Sequence, residues 1–278
     1  MNGYEAKLER LKGIIKDLGG VVVAFSGGVD STFLVRVAVD VLGDRVLAVT
    51  AVSETYPVEE VEEAKELARA LGVRHQVIYT EELSNLEFAS NPPNRCYFCK
   101  KELFAKLWEV AKENGLESVV DGANLDDTGE HRPGLVAGRE LGVRSPLRES
   151  GFTKEEIRKA SRGLGLPTWN KPSLACLSSR FPYGQRITPE KLQQVGRAER
   201  FLKGLGISQV RVRYHGQVAR IEVPRQEMGV VFENAEKVSA KLKALGFIYV
   251  ALDLDGYRSG SMDEALTEDE KCLTSIPG

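Results

Sequence analysis

The chain has 278 residues, 38 Lys+Arg against 40 Asp+Glu, a net charge near -2 and 42% hydrophobic residues. That length can bury one large core or two ordinary ones, and four cysteines are too few for a disulfide scaffold. The near balance of charge excludes a whole-protein electrostatic field for nucleic acid, so a nucleic-acid partner is not expected.

The opening "MNGYEAKLERLKGIIKDLGG" reads as an amphipathic charged helix rather than a signal core. No apolar run approaches the roughly 20 residues that span a bilayer, so no membrane association is expected and the chain reads as cytoplasmic. Short apolar runs follow at 20–25, 46–52, 74–79, 117–121 and 143–147, separated by segments of helical period. The clearest is 57–71, with proline at its start, glutamates in its first turn and Gly72 at its end. Strands alternating with helices predict an α/β fold with a Rossmann-like parallel sheet. Beyond residue 170 the pattern becomes helix (189–205), two strands (209–214 and 217–223), helix (233–245) and strand (247–252), a smaller α+β unit. The expected division is 1–170 for the sheet domain, 171–188 for a linker carrying Cys176, 189–255 for a small domain serving substrate or oligomer contacts, and 256–278 for a flexible tail.

At "VVVAFSGGVDSTFLV" (21–35) an apolar run breaks into glycines and hydroxyls and resumes as a helix. A glycine turn from strand to helix aims bare N–H groups and the positive end of the helix dipole at one point, which suits phosphate. Gly27 and Gly28 permit close approach, Ser26, Ser31 and Thr32 offer hydroxyls, and Asp30 beside phosphate implies a cation, Mg2+. The plainer alternative is a strand-to-helix turn capped by Asp or Ser. There is no lysine after the glycines and no third glycine, which excludes the Gly-Lys-Ser/Thr phosphate loop and the dinucleotide fingerprint. In "DGANLDDTGEHRPG", Asn124, Asp126 and Asp127 lie beyond a strand end, near nucleotide or Mg2+ or as an Asx-type cap.

Cys96 and Cys99 stand with two residues between them before a predicted helix, and Cys176 lies in the linker. A thiolate near a helix N-terminus and Arg95, Lys100 or Arg180 is expected to have a lowered pKa and to carry sulfur. The pair is too small for a structural zinc site, whereas Cys96, Cys99 and Cys176 together suit an iron-sulfur cluster with one iron open. The alternative is a pair of half-buried small residues; Cys272 is read as incidental. Arg211 and Arg213 share one strand face and can grip a substrate phosphate or line a solvated sheet face. Glu199 and Glu222 can form a small metal or carboxylate site beside them, or surface salt bridges. His75, His131 and His215 share no ligand spacing and receive no role.

"SGGVDST" resembles the pyrophosphate loop of the N-type ATP pyrophosphatases. Together with "NPPNRCYFCKKELF", "DGANLDD", "RSPLRE", "KPSLACLSSRFPYG" and "VRVRYHGQVARIEV", it makes the chain similar, from about 10 to 255, to the LarE family of ATP-dependent sulfur transferases. The resemblance implies adenylylation of a carboxylate on a pyridinium biscarboxylic acid mononucleotide, release of pyrophosphate, attack by sulfur and release of AMP. The product is a thiocarboxylate for the nickel-pincer cofactor of lactate racemase. It implies ATP and Mg2+ as cofactors, Gly122 and Asn124 near the nucleotide, transfer partners in the same cofactor pathway and a homo-oligomer. Some members sacrifice the cysteine matching Cys176; others carry three cysteines and a four-iron four-sulfur cluster, which Cys96 and Cys99 favour. A tRNA-thiolating enzyme shares the loop but needs a basic surface. An amide-forming synthetase leaves the cysteines without a task, and a non-catalytic nucleotide-binding module does not need Asp30.

Overall fold

The computed structural model describes residues 3–55, 58–129, 133–172 and 175–267; His131, Cys272 and the expected tail from 268 on lie outside them. In chain order come α1 (Gly3–Leu18), β1 (Val21–Ala24), α2 (Val29–Leu42), β2 (Val46–Val52), α3 (Val58–Ala70), β3 (Arg74–Tyr79), α4 (Leu86–Ala89) and α5 (Arg95–Glu113). They are followed by β4 (Ser118–Val120), α6 (Pro133–Glu140), α7 (Pro146–Glu149), α8 (Lys154–Gly163) and α9 (Pro189–Lys203). The chain continues with β5 (Arg211–His215), β6 (Val218–Glu222), α10 (Met228–Glu233), α11 (Ala235–Ala244) and β7 (Tyr249–Leu252).

The first four strands form one parallel sheet in the order β3-β2-β1-β4, the α/β arrangement expected from the sequence. Their valine-rich residues are buried on both faces: Val21 and Val23 join Phe33, Leu34 and Phe152 on one side, while Val22, Leu47 and Val49 join Phe104 and Leu107 on the other. The fifth apolar run, 143–147, makes only a single parallel bridge between Arg144 and Val120. Pro146 starts α7 there, since proline has no N–H for a ladder. Because all four strands are parallel, the residues after Ala24, Val52, Tyr79 and Val120 emerge at one edge, and those segments carry the polar chemistry.

The second sheet has the order β5-β6-β7, an antiparallel hairpin extended by a parallel strand. Its core unites Leu192, Val195, Ala198 and Leu202 of α9 with Val212, Ala219, Ile221 and Leu242. Leu177 and Phe181 pack into the same core, so the segment following Cys176 belongs structurally to this unit. Residues 256–267, expected to be loose, are held against it instead. Ser261 is buried and donates to Glu222, and Tyr183 donates to Asp263 at 2.7 Å.

Two local devices fix the elements around the edge. Thr153 and Glu156 form a reciprocal capping box at the start of α8, and Lys7 of α1 grips Glu156 at 2.7 Å. Arg180 lies buried against buried Glu199 in a two-point ion pair, Nε to Oε1 at 2.8 Å and NH2 to Oε2 at 2.9 Å. Thr153→Ala removes the capping box and should cost about 1 kcal/mol, read as a shifted denaturant midpoint at unchanged slope. Glu199→Gln leaves a buried guanidinium uncompensated and should cost about 3–5 kcal/mol in the same assay.

Candidate functional site

The glycine loop closes on itself. Ser31 Oγ donates to the Gly28 carbonyl at 3.3 Å, Ser26 Oγ lies 3.2 Å from Ser31 Oγ, and Gly28 N–H donates to Ser26 Oγ at 3.3 Å. Gly27 holds φ +67°, a left-handed conformation that glycine adopts without strain. A Cβ at Gly122 would stand 3.1 Å from Ser31 N and 3.3 Å from Asp30 Cβ, so glycine lets the β4 exit pass close under the start of α2. Asn124 is buried and its Oδ1 accepts from Asp126 N–H, an Asx turn that shapes this exit; Asp127 Oδ2 accepts from Asn124 N–H. Thr32, expected to offer its hydroxyl to phosphate, is 0% exposed with Oγ1 unpartnered, because it is set on the inner side of α2.

Two lysines that the sequence pattern did not indicate border the loop. Lys154, the first residue of α8, pairs with Asp30 Oδ2, while its backbone N–H donates to Asp126 at 2.8 Å. Lys171 reaches the Gly27 carbonyl at 3.2 Å and Glu63 at 2.9 Å. Asp30 Oδ1 is buried without a hydrogen-bond partner. That orphaned carboxylate oxygen, beside a loop of N–H and hydroxyl groups, fits a Mg2+ ion arriving with a polyphosphate.

The cysteines meet the same edge. Leu177 N–H donates to the Thr55 carbonyl, just past β2, at 2.9 Å, which brings Cys176 there. Cys96 and Cys99 lie three residues apart in the first turns of α5, and Cys99 Sγ donates to Glu82 Oε1 at 3.7 Å. Glu82, another residue not singled out in the sequence, is 2% exposed, accepts from Thr80 and leaves Oε2 unpartnered. The expectation of a lowered thiol pKa fails at Cys99. Burial pushes this thiol well above its ordinary value, and the Glu82 carboxylate adds to the effect.

The start of α5 is pinned to the Cys176 segment. Asn91, buried at φ 58°, donates to the Phe181 and Pro182 carbonyls and accepts from Arg95 NH1 at 2.8 Å. Arg95 also stacks on Tyr183, 5.1 Å from its ring centre. The charges of Cys176 and Cys96 both act on the Cys99 thiol. Cys96 is exposed and Cys99 is turned into the Glu82 contact, and among the described residues no three His, Cys, Asp or Glu side chains form a metal-holding group.

Arg211 and Arg213 also depart from their expected role. They are 5% and 4% exposed, too enclosed to grip a substrate phosphate in this conformation. Arg213 donates to Glu222 at 2.7 and 2.9 Å and to the Ser179 carbonyl, and Arg211 stacks on Tyr257. Glu199 and Glu222, considered as metal ligands or surface ion pairs, are instead the buried partners of Arg180 and Arg213 respectively. Although burial works against its charge, Glu199 keeps a lowered pKa through the charge and hydrogen bonds of Arg180, the nearby Arg211 and Val212 N–H. Arg180 NH1 completes the arrangement by donating to the carbonyls of Ala175 and Cys176 and to Ser179 Oγ.

Residues 7–107 match the NAD synthase family. The chain is 46% identical over 266 residues, 95% of its length and 99% of the relative's, to the uncharacterized protein slr1717 of Synechocystis. It is 43% identical over 263 residues, 94% of its length and 95% of the relative's, to pyridinium-3,5-bisthiocarboxylic acid mononucleotide synthase of Lactiplantibacillus plantarum. More distantly, it is 28% identical over 256 residues, 91% of its length and 98% of the relative's, to an uncharacterized protein of Methanocaldococcus jannaschii. A sheet whose carboxyl edge gathers a Ser-Gly-Gly loop and three cysteines, together with identity at this level over almost the whole of both chains, makes the protein a member of the LarE family, the pyridinium-3,5-bisthiocarboxylic acid mononucleotide synthases, within the PP-loop ATP pyrophosphatases.

Proposed function

We propose that the chain is an ATP-dependent sulfur transferase that converts a carboxylate of pyridinium-3,5-biscarboxylic acid mononucleotide to a thiocarboxylate. The observation that carries this reading is the meeting of the glycine loop and the Cys176 segment at one sheet edge, in a chain similar over 94% of its length to a synthase of the bisthiocarboxylic product. Two chemical stages then have their groups within one site.

In the first stage a substrate carboxylate oxygen attacks the α-phosphorus of ATP, and pyrophosphate leaves into the loop formed by Ser26, Gly27, Gly28, Asp30 and Ser31. Mg2+ bound with ATP would supply charge neutralisation at Asp30. The loop N–H groups and the N-terminus of α2 receive the departing charge, which is where fixed dipoles help most. In the second stage the Cys176 sulfur attacks the acyl-adenylate carbon and AMP leaves. Loss of the Cα proton of residue 176 to solvent then drives cleavage of its Cβ–Sγ bond, whose electron pair leaves on sulfur, and yields the thiocarboxylate and a dehydroalanine. In this reading Cys176 is itself the sulfur donor. Arg180, with three donor contacts around residues 175–179, is the positioning residue for Cys176.

Cys176→Ala should separate the two stages: pyrophosphate release from ATP in the presence of the pyridinium substrate persists, while thiocarboxylate is not formed. Intact mass after one turnover of the wild-type chain should fall by one hydrogen sulfide at residue 176. Unchanged mass accompanied by iron and sulfide in anaerobically purified protein would instead assign the sulfur to a cluster. At neutral pH Cys99 should react with iodoacetamide more slowly than Cys96, because its raised pKa keeps it a thiol until the pH passes the ordinary cysteine range. Glu82→Gln should move that labelling profile to lower pH, followed by peptide mass.

A further inference from the structure

Arg95, the first residue of α5, is buried without a paired carboxylate among the described residues. Arg180 and Arg213 each spend Nε and NH2, the side edge of the guanidinium, on the carboxylate of a buried glutamate. In Arg95, which is 6% exposed, NH1 donates to Asn91 Oδ1 at 2.8 Å, but the same side edge is unpaired: Nε is buried with no partner, and NH2 donates to no described residue.

The guanidinium is fixed relative to the Cys176 segment. Asn91, which orients NH1, also donates to the Phe181 and Pro182 carbonyls, and the Arg95 guanidinium lies over the Tyr183 ring at 5.1 Å from its centre. The charges of Cys96 and Cys176 both reach it, as does that of Asp263, whose Oδ1 is taken by the Tyr183 hydroxyl at 2.7 Å. A guanidinium withdrawn from water calls for an anion, and a planar group with two oxygens meets the Nε and NH2 donors in two parallel bonds. A thiolate offers one acceptor atom and satisfies only part of that edge.

We propose that the side edge of Arg95 binds one carboxylate of the pyridinium biscarboxylate while the other meets ATP, which makes Arg95 a specificity-determining residue for a diacid; this deepens the proposed function and rests on its substrate. A carboxylate held in two charge-assisted hydrogen bonds is a poorer nucleophile than a free one, so the pairing also decides which acid group waits. The thiocarboxylate made from the first acid group keeps its negative charge and can take the same edge while the second is activated.

The test compares wild type with Arg95→Gln and Arg95→Lys. Titration calorimetry measures binding of the biscarboxylate nucleotide and of nicotinamide mononucleotide, which has the same pyridinium ring and phosphate but a neutral amide and no carboxylate. Wild type should prefer the biscarboxylate. Arg95→Gln should weaken biscarboxylate binding about tenfold or more and leave nicotinamide mononucleotide and Mg-ATP at their wild-type affinities, the pattern of a pairwise loss rather than a general one. Arg95→Lys, which keeps the charge without the two-point edge, should fall between the two, and it decides the matter if Arg95→Gln does not fold. Wild-type biscarboxylate affinity in the variants would overturn the proposal, as would equal weakening of both nucleotides, which marks a structural role. Equal affinity of the wild type for the two nucleotides, or binding of neither, would overturn it too. A wild type that prefers the biscarboxylate yet forms no thiocarboxylate from it with ATP would fault the sulfur-transfer reading instead, and the calorimetric comparison would still decide on Arg95.

Discussion

The Arg180 guanidinium is the point at which the two halves of the chain become one site. Two of its nitrogens are spent on Glu199 of α9, and the third donates to two carbonyls and a hydroxyl of residues 175–179. Both members of the pair are buried, where an unpaired ion would be prohibitive, so the loop cannot leave α9 without exposing or stranding charge. Leu177 then ties the same loop to the end of β2. Cys176 is thus suspended between the core under the second sheet and the carboxyl edge of the first, and neither sheet alone would place it.

Most of the architecture was legible because it follows from period and punctuation. The parallel strands are runs of valine with helices between them, and the hairpin of the second unit turns at Gly216-Gln217, one residue past the expected His215-Gly216. The run at 143–147 was misleading because apolar character alone does not provide a ladder; Pro146 removes a donor where the strand would continue. The Asp30 loop was equally legible, since its residues are contiguous.

The site's ionic partners were not legible, for a physical reason. Arg211 and Arg213 were correctly placed on one strand, yet spacing says only that two side chains share a face and not what lies over it. Glu222 stands opposite Arg211 in the register of the hairpin, is reached diagonally by Arg213, and is buried by the segment around Ser261. Lys154 and Glu82 come from segments far from the loop and from Cys176, and no local pattern announces where a long side chain will end. Contiguous chemistry can be read from sequence; chemistry assembled by crossing connections requires the fold.

Trp169 gives the molecule an unplanned optical property. It is one of two tryptophans in the chain; the other, Trp108, donates to the Leu141 carbonyl on the far face of the sheet. Trp169 is partly exposed, lies under the Arg162 guanidinium, and sits two residues from Lys171, whose ammonium rests on the Gly27 carbonyl. Its indole therefore lies two positions along the chain from the lysine that is hydrogen-bonded to the glycine loop. A rearrangement of that loop strong enough to move Lys171 pulls on the segment that carries this ring, so the emission of one native side chain is a built-in reporter for the conformation of the glycine loop.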